Sequence, residues 1–173
     1  MSANSSDERY EEAVRLFGSA LDRLAAGYEA DPDKRRDLRQ EIHLQLWRSL
    51  AVFDGRCSLR TWTFRVAHNT AASWVVRERR VNQRFVGLEE IEHTIPAVNL
   101  APDLDRARAL DHLARLMLTL KPLDRQILIL YLEDMDAASI AEITGLSAAN
   151  VAMKIHRIKS ILARRFQEVE RNA

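Results

Sequence analysis

The sequence predicts an all-α protein: two small helical domains joined by a flexible linker, the C-terminal one containing a helix-turn-helix. Three observations carry this expectation. Apolar residues recur at helical spacing through most of the 173 residues, and no convincing alternating strand appears. The periodicity fails from about Val81 to Ala107, where GLEEIEHTIPAVNLAPDLDRA holds prolines, acids and scattered aliphatics. Beyond that stretch, a small-residue helix, a Gly-Leu-Ser turn and a basic helix follow one another between Ala138 and Leu162. The expected divisions are a domain at 8–84, a linker at 85–106 and a second domain at 107–170.

Taken in order, Tyr10 to Tyr28 reads as a helix with Val14, Phe17, Leu21 and Leu24 inward, closed by Gly27. Glu29-Ala-Asp-Pro-Asp is a turn, with Pro32 near the next helix start. From about Asp37 to Ala51, Leu38, Ile42, Leu46 and Ser49 form a buried stripe. The other side carries Asp37, Gln40, Glu41, Leu44 and Trp47, and two carboxylates and an amide around Leu and Trp suit a basic partner protein. After the FDGRCS turn, Ser58 caps a helix whose core side is Phe64, Ala67, Ala71, Trp74 and Val75. Its opposite face holds Trp62, Arg65, Asn69, Ser73 and Arg80, residue types that hold phosphates, read a base edge and stack on an unpaired base.

Regular helix resumes near Ala107 with Leu110, Leu113, Met117 and Leu120 in phase. Lys121-Pro122 opens another helix, with Leu123, Ile127 and Leu130 in phase. From about Ala137 to Thr144 a short helix offers Ile140, Ala141 and Ile143 for packing. Gly145 permits a left-handed turn, Leu146 fills the gap and Ser147 caps the long helix that follows. Val151, Ile155, Ile158 and Leu162 point that helix inward. Ser147, Asn150, Met153, Lys154 and Arg157 are left to face outward near its start, where a recognition helix meets base edges.

Composition narrows the function. With 47% apolar and 29% charged residues the chain reads as globular and soluble. A formal charge of +1 hides strong patterning: seven arginines and one acid lie between Arg56 and Arg84, acids dominate Glu89 to Asp111, and Ser147 to Arg165 is basic throughout. Two basic patches suggest two nucleic-acid contacts. A lone cysteine, Cys57, fits a reducing compartment, and no apolar run reaches membrane-span length, so a cytoplasmic protein without membrane insertion is expected. The five histidines are dispersed, no nucleophile motif or phosphate-cradling loop is present, and neither enzyme, metal nor cofactor is indicated.

DLRQEIHLQLW followed by FDGRCSLRTWTFRVAHNTA resembles region two of the extracytoplasmic-function (ECF) sigma factors of bacterial RNA polymerase, and ASIAEITGLSAANVAMKIHRIKSIL resembles their region four. The resemblance implies a transcription initiation factor with core RNA polymerase and promoter DNA as partners, together with an anti-sigma factor. It assigns polymerase docking to Asp37, Gln40, Glu41, Leu44 and Trp47. It assigns the melted −10 element to Arg60, Trp62, Arg65, His68, Asn69, Arg77, Arg80 and the loop before them, and the −35 element to the outward residues of the last helix. Two departures bear on −35 preference: many members have Glu-Ile-Ala where Ser139-Ile140-Ala141 stands, and Gly-Thr-Val where Ala149-Asn150-Val151 stands.

Other readings of the same residues stay open at this level. Trp62 forms an apolar set with Leu59 and Val66 and fits a core position as well as a stacking one. His68 suits a DNA contact or a satisfied surface position. A stand-alone helix-turn-helix regulator, binding duplex DNA as a dimer, competes with the initiation factor. It leaves the arginine-rich helix and the acidic face of the helix before it without a use.

Overall fold

A computed structural model describes residues 3–78, 87–88 and 113–171 and places side chains for 6–78, 87–88 and 113–163. Among the described residues the chain is helical, with no β-strand. Its contacts gather into two compact units, one of Met1–Gln83 with Glu142–Gly145 and the other of Arg84–Ala141 with Leu146–Ala173.

The first unit holds α1 (Ala3–Tyr28), α2 (Pro32–Leu50) and α3 (Leu59–Glu78), each packed on the other two. α1 begins well before Tyr10 and runs through Gly27. α2 begins at Pro32, whose missing N–H costs nothing at a helix start. Asp31 caps it, accepting from the amides of Asp33 at 2.9 Å and Lys34 at 3.1 Å. Those two hydrogen bonds hold its carboxyl below the usual carboxylate range. The buried stripe of α2 is Leu38, Ile42, Leu46 and Leu50, a strict i, i+4 series, so Leu50 takes the place expected for Ser49. Leu21 and Leu24 of α1 and Phe64, Ala67, Ala71 and Val75 of α3 complete the core. The two alanines let α3 approach closely, and each fully buried leucine contributes about 1.5–3 kcal/mol. Phe17 meets Phe64 edge-on at 5.9 Å. Trp74, expected in the core, stands half-buried at its rim, with Nε1 3.5 Å from Glu29 Oε2.

α3 is capped as the sequence suggests, the Thr61 amide donating to Ser58 Oγ at 3.0 Å. The loop before it turns at Gly55, whose φ of 77° is left-handed.

The C-terminal half of the chain holds a helical stretch at 113–119, then α4 (Pro122–Leu132), α5 (Ala137–Thr144) and α6 (Ala148–Arg171). α4 packs on α6. Leu120, Ile127, Leu130, Ile140, Val151 and Ile158 are fully buried, whereas Leu123 is exposed and Ile155 and Leu162 are only half-buried. α4 ends on Asp134 at φ 56°, and the Met135 amide returns to Leu130 O at 3.2 Å. Gly145, at φ 76°, makes the turn between α5 and α6, and Ser147 Oγ accepts from the Asn150 amide at 3.2 Å.

Two charged residues of α4 are fully buried. Arg125 reaches back to the end of the preceding helical stretch, donating to Leu118 O at 2.6 Å and Leu120 O at 3.1 Å. Asp124 pairs with Lys154 of α6 and accepts from the Leu88 amide at 3.3 Å. Leu88 was expected to lie in the linker; it is buried in the second unit instead. The rest of the expected linker, 89–106, lies outside the described residues, as do 85 and 86.

Candidate nucleic-acid and partner interfaces

Because α2 commits 38, 42, 46 and 50 to the core, its remaining faces are free to meet a partner. Asp37, Gln40, Glu41, Leu44 and Trp47 share one of them, with Leu44 40% and Trp47 46% exposed. Two apolar side chains held open among carboxylates form a surface suited to a basic, partly apolar partner. Trp47 does not stand alone: its Nε1 donates to Asp7 Oδ1 of α1 at 2.8 Å, and Gln45 Nε2 donates to Glu41 Oε1 at 2.9 Å.

α3 presents the second face. Arg60, Asn69 and Arg77 are exposed, and Arg65 is half-buried. Arg77 lies over the Trp74 ring at 5.8 Å. Between α3 and α2 runs an open, mostly polar groove of about 380 Å³, to which Glu41, Gln45, Asn69, Ser73 and Arg77 contribute. A cation, an amide and a hydroxyl along one helix offer phosphate neutralisation and base-edge hydrogen bonds together. Trp62 is half-buried. Its ring tilts against Phe53 at 5.2 Å, and its Nε1 donates to Ser49 Oγ at 3.0 Å. It therefore braces the loop, and only its remaining open surface is available to a base.

His68 is a correction. It is 1% exposed, its Nδ1 lies 3.0 Å from Tyr28 Oη, and burial lowers its pKa to about 3. A neutral side chain sealed between α1 and α3 cannot touch DNA. Arg80 lies outside the described residues.

The third face is the start of α6. Ser147 and Asn150 are exposed, Met153 is 56% exposed, and Arg157 is half-buried. Ser147 spends its hydroxyl on the cap, which fixes the angle at which the helix leaves the turn. Lys154 is the second correction. Its side chain is only 21% exposed and its ammonium is bonded to Asp124, so its charge serves the fold of this unit and not a phosphate.

Sequence reasoning missed Asp7, Arg9 and Asp124. Nothing in the spacing of α1 signals that its first turns reach the loop after α2. Arg9 Nη1 nevertheless donates to Phe53 O at 3.3 Å, and its guanidinium lies 5.7 Å from the Phe53 ring centre.

Comparison with known proteins agrees with this layout. The family profile "Sigma-70 region 2" matches residues 13–81, and "Sigma-70, region 4" matches 110–162. The "RNA polymerase sigma factor YlaC" of Bacillus subtilis (strain 168) is 30% identical over 127 residues, covering 72% of this chain and 72% of that protein. The "ECF RNA polymerase sigma factor SigX" of the same organism is 32% identical over 57 residues, covering 33% of this chain and 29% of that protein. The chain belongs to the ECF sigma factors, a family of non-enzymatic transcription initiation factors. No helix among the described residues is long and apolar enough to cross a membrane.

Proposed function

We propose that this sigma factor binds core RNA polymerase through the α2 face of Asp37, Gln40, Glu41, Leu44 and Trp47. The α3 face, with Arg60, Arg65, Asn69, Arg77 and the Phe53–Ser58 loop, captures unpaired −10 bases. The start of α6, with Asn150, Met153 and Arg157, enters the major groove at −35. Residues 8–84 act as the docking and melting domain and 107–170 as the duplex-reading domain. The observation that carries this is the division of labour on one three-helix unit. Its core leaves an acidic and apolar stripe on α2 and a basic and amide stripe on α3, and these suit two partners of opposite chemistry. The protein acts in the cytoplasm, where polymerase and promoter are, and an anti-sigma factor restrains it.

Capturing bases that have left the stack turns binding energy into strand opening, because the captured state exists only in melted DNA. In vitro transcription with core polymerase tests the reading. Promoter-specific transcripts should appear only with this protein present. Changing Asp37, Gln40 and Glu41 together to Ala should lower core affinity, each desolvated group contributing about 1–3 kcal/mol. Tight, specific duplex binding by the isolated protein, with no effect on polymerase, would instead indicate a stand-alone regulator.

A further inference from the structure

Arg9 and Asp7 belong to none of the three faces, yet Arg9 reaches the loop before α3 and Asp7 reaches Trp47 of the α2 docking stripe. Arg9 donates to the Phe53 carbonyl and lies over the Phe53 ring. Phe53 rests on Trp62 with the rings at 57°, Trp62 donates to Ser49 Oγ, and Ser49 Oγ donates to Leu46 O at 2.9 Å. An unbroken set of contacts thus runs from α1 through the first part of the α2–α3 loop into both helices. Beyond Phe53 the restraints within the loop are local. Gly55 has nothing within 4 Å of where a Cβ would stand, and Arg56 is tied only two residues back, through its amide and its guanidinium, to a half-exposed Asp54. The same turns of α1 hold Trp47 of the docking stripe through Asp7.

We infer that Arg9 is a positioning residue. It fixes the Phe53–Ser58 loop, and through Phe53 the Trp62 edge of α3, in the arrangement that receives unpaired bases, while making no DNA contact itself. The inference rests on the proposed function of that loop. Arginine suits the task because its planar guanidinium donates to a carbonyl from one edge while its face covers a ring; an ammonium is a compact point charge that does the two jobs less well. Both residues stand on the first turns of α1, before the stretch its apolar spacing marks out.

The test compares the full-length wild type with Arg9→Ala and Arg9→Lys. It reads amide hydrogen exchange across 51–58 in the free protein, core polymerase affinity, thermal midpoint, and promoter opening on duplex and pre-melted templates. Removing one hydrogen bond and one cation–π contact should raise loop exchange by about fivefold to tenfold. Opening on duplex templates should fall by a similar factor. Core affinity and midpoint should stay near wild type, a pre-melted −10 should restore activity, and Arg9→Lys should fall between. Unchanged loop exchange in Arg9→Ala overturns the inference, as does raised exchange with unaltered opening. A midpoint that drops in step with opening makes Arg9 a fold-stability residue and also overturns it. If the wild type opens no promoter with core polymerase, the functional reading fails, while the exchange comparison still decides whether Arg9 holds the loop.

Discussion

His68 and Lys154 show how one charge-bearing side chain changes meaning with its surroundings. His68 is neutral when folded because burial penalises the imidazolium. The unfolded chain takes up a proton as pH falls through about 6.5, whereas the folded protein does so only near 3. The contribution of His68 is therefore fully present above about 6.5 and is lost progressively as pH falls towards 3. At pH 5 this one group should make the protein about 2 kcal/mol less stable than at pH 8. Denaturant unfolding across that range should show the slope, and His68→Phe should flatten it. Lys154 answers a different charge. Lys154→Ala leaves Asp124, 4% exposed, as an unpaired buried carboxylate, at an expected cost of about 3–5 kcal/mol. Lys154→Met with Asp124→Leu should recover most of that loss. A Lys154→Ala protein of unaltered stability but weakened DNA binding would return the residue to phosphate contact.

At the level of elements, two left-handed positions set where helices stop. Gly145 occupies such a conformation at little steric cost, so Gly145→Ala should destabilise the α5–α6 turn by about 1–2 kcal/mol although no atom stands near the added methyl. Asp134 occupies one with a side chain, so Asp134→Gly should be neutral or stabilising by up to about 1 kcal/mol. Opposite signs in thermal melts would support this account of the turns, and equal losses would refute it. The Gly145 turn was legible in the sequence, as were the caps at Ser58 and Ser147 and the start of α2 near Pro32, since each is fixed by local chemistry. The core stripe of α2 was nearly so. His68 and Lys154 were misassigned although their helical phase carried the signal. His68 follows Phe64 by four residues and precedes Ala71 by three, and Lys154 follows Val151 by three and precedes Ile158 by four, so both lie on core stripes. Residue polarity outweighed phase in that reading. Arg125 and Arg9 were out of reach, because their roles depend on carbonyls and a ring brought near by the fold, and sequence spacing does not encode those distances.

For the whole molecule, a net charge of +1 conceals a chain whose units each carry a basic helix, and a sigma factor needs a promoter contact from each. On the proposed reading the contacts differ in kind: α6 would meet duplex DNA, which exists before opening, whereas the α3 face would meet bases that become available only as the duplex parts. Loss of the α3 contacts should then leave assembly and −35 binding intact and remove the opening step alone. With Arg65 proposed to contact a phosphate and Asn69 a base edge, each contact being worth about 1–2 kcal/mol, Arg65→Ala with Asn69→Ala should cut opening by about 30-fold or more. Permanganate reactivity of thymines near the start site should fall accordingly, while core co-purification and −35 footprinting stay unchanged. A template already unpaired across −10 removes the cost of melting and should restore part of the activity, since bases then need only be bound and not extracted. Full opening by the double variant on duplex DNA would move −10 capture away from this stripe to the Phe53–Ser58 loop. Loss of core binding by the same variant would mean that the α3 face, and not α2 alone, is where polymerase docks.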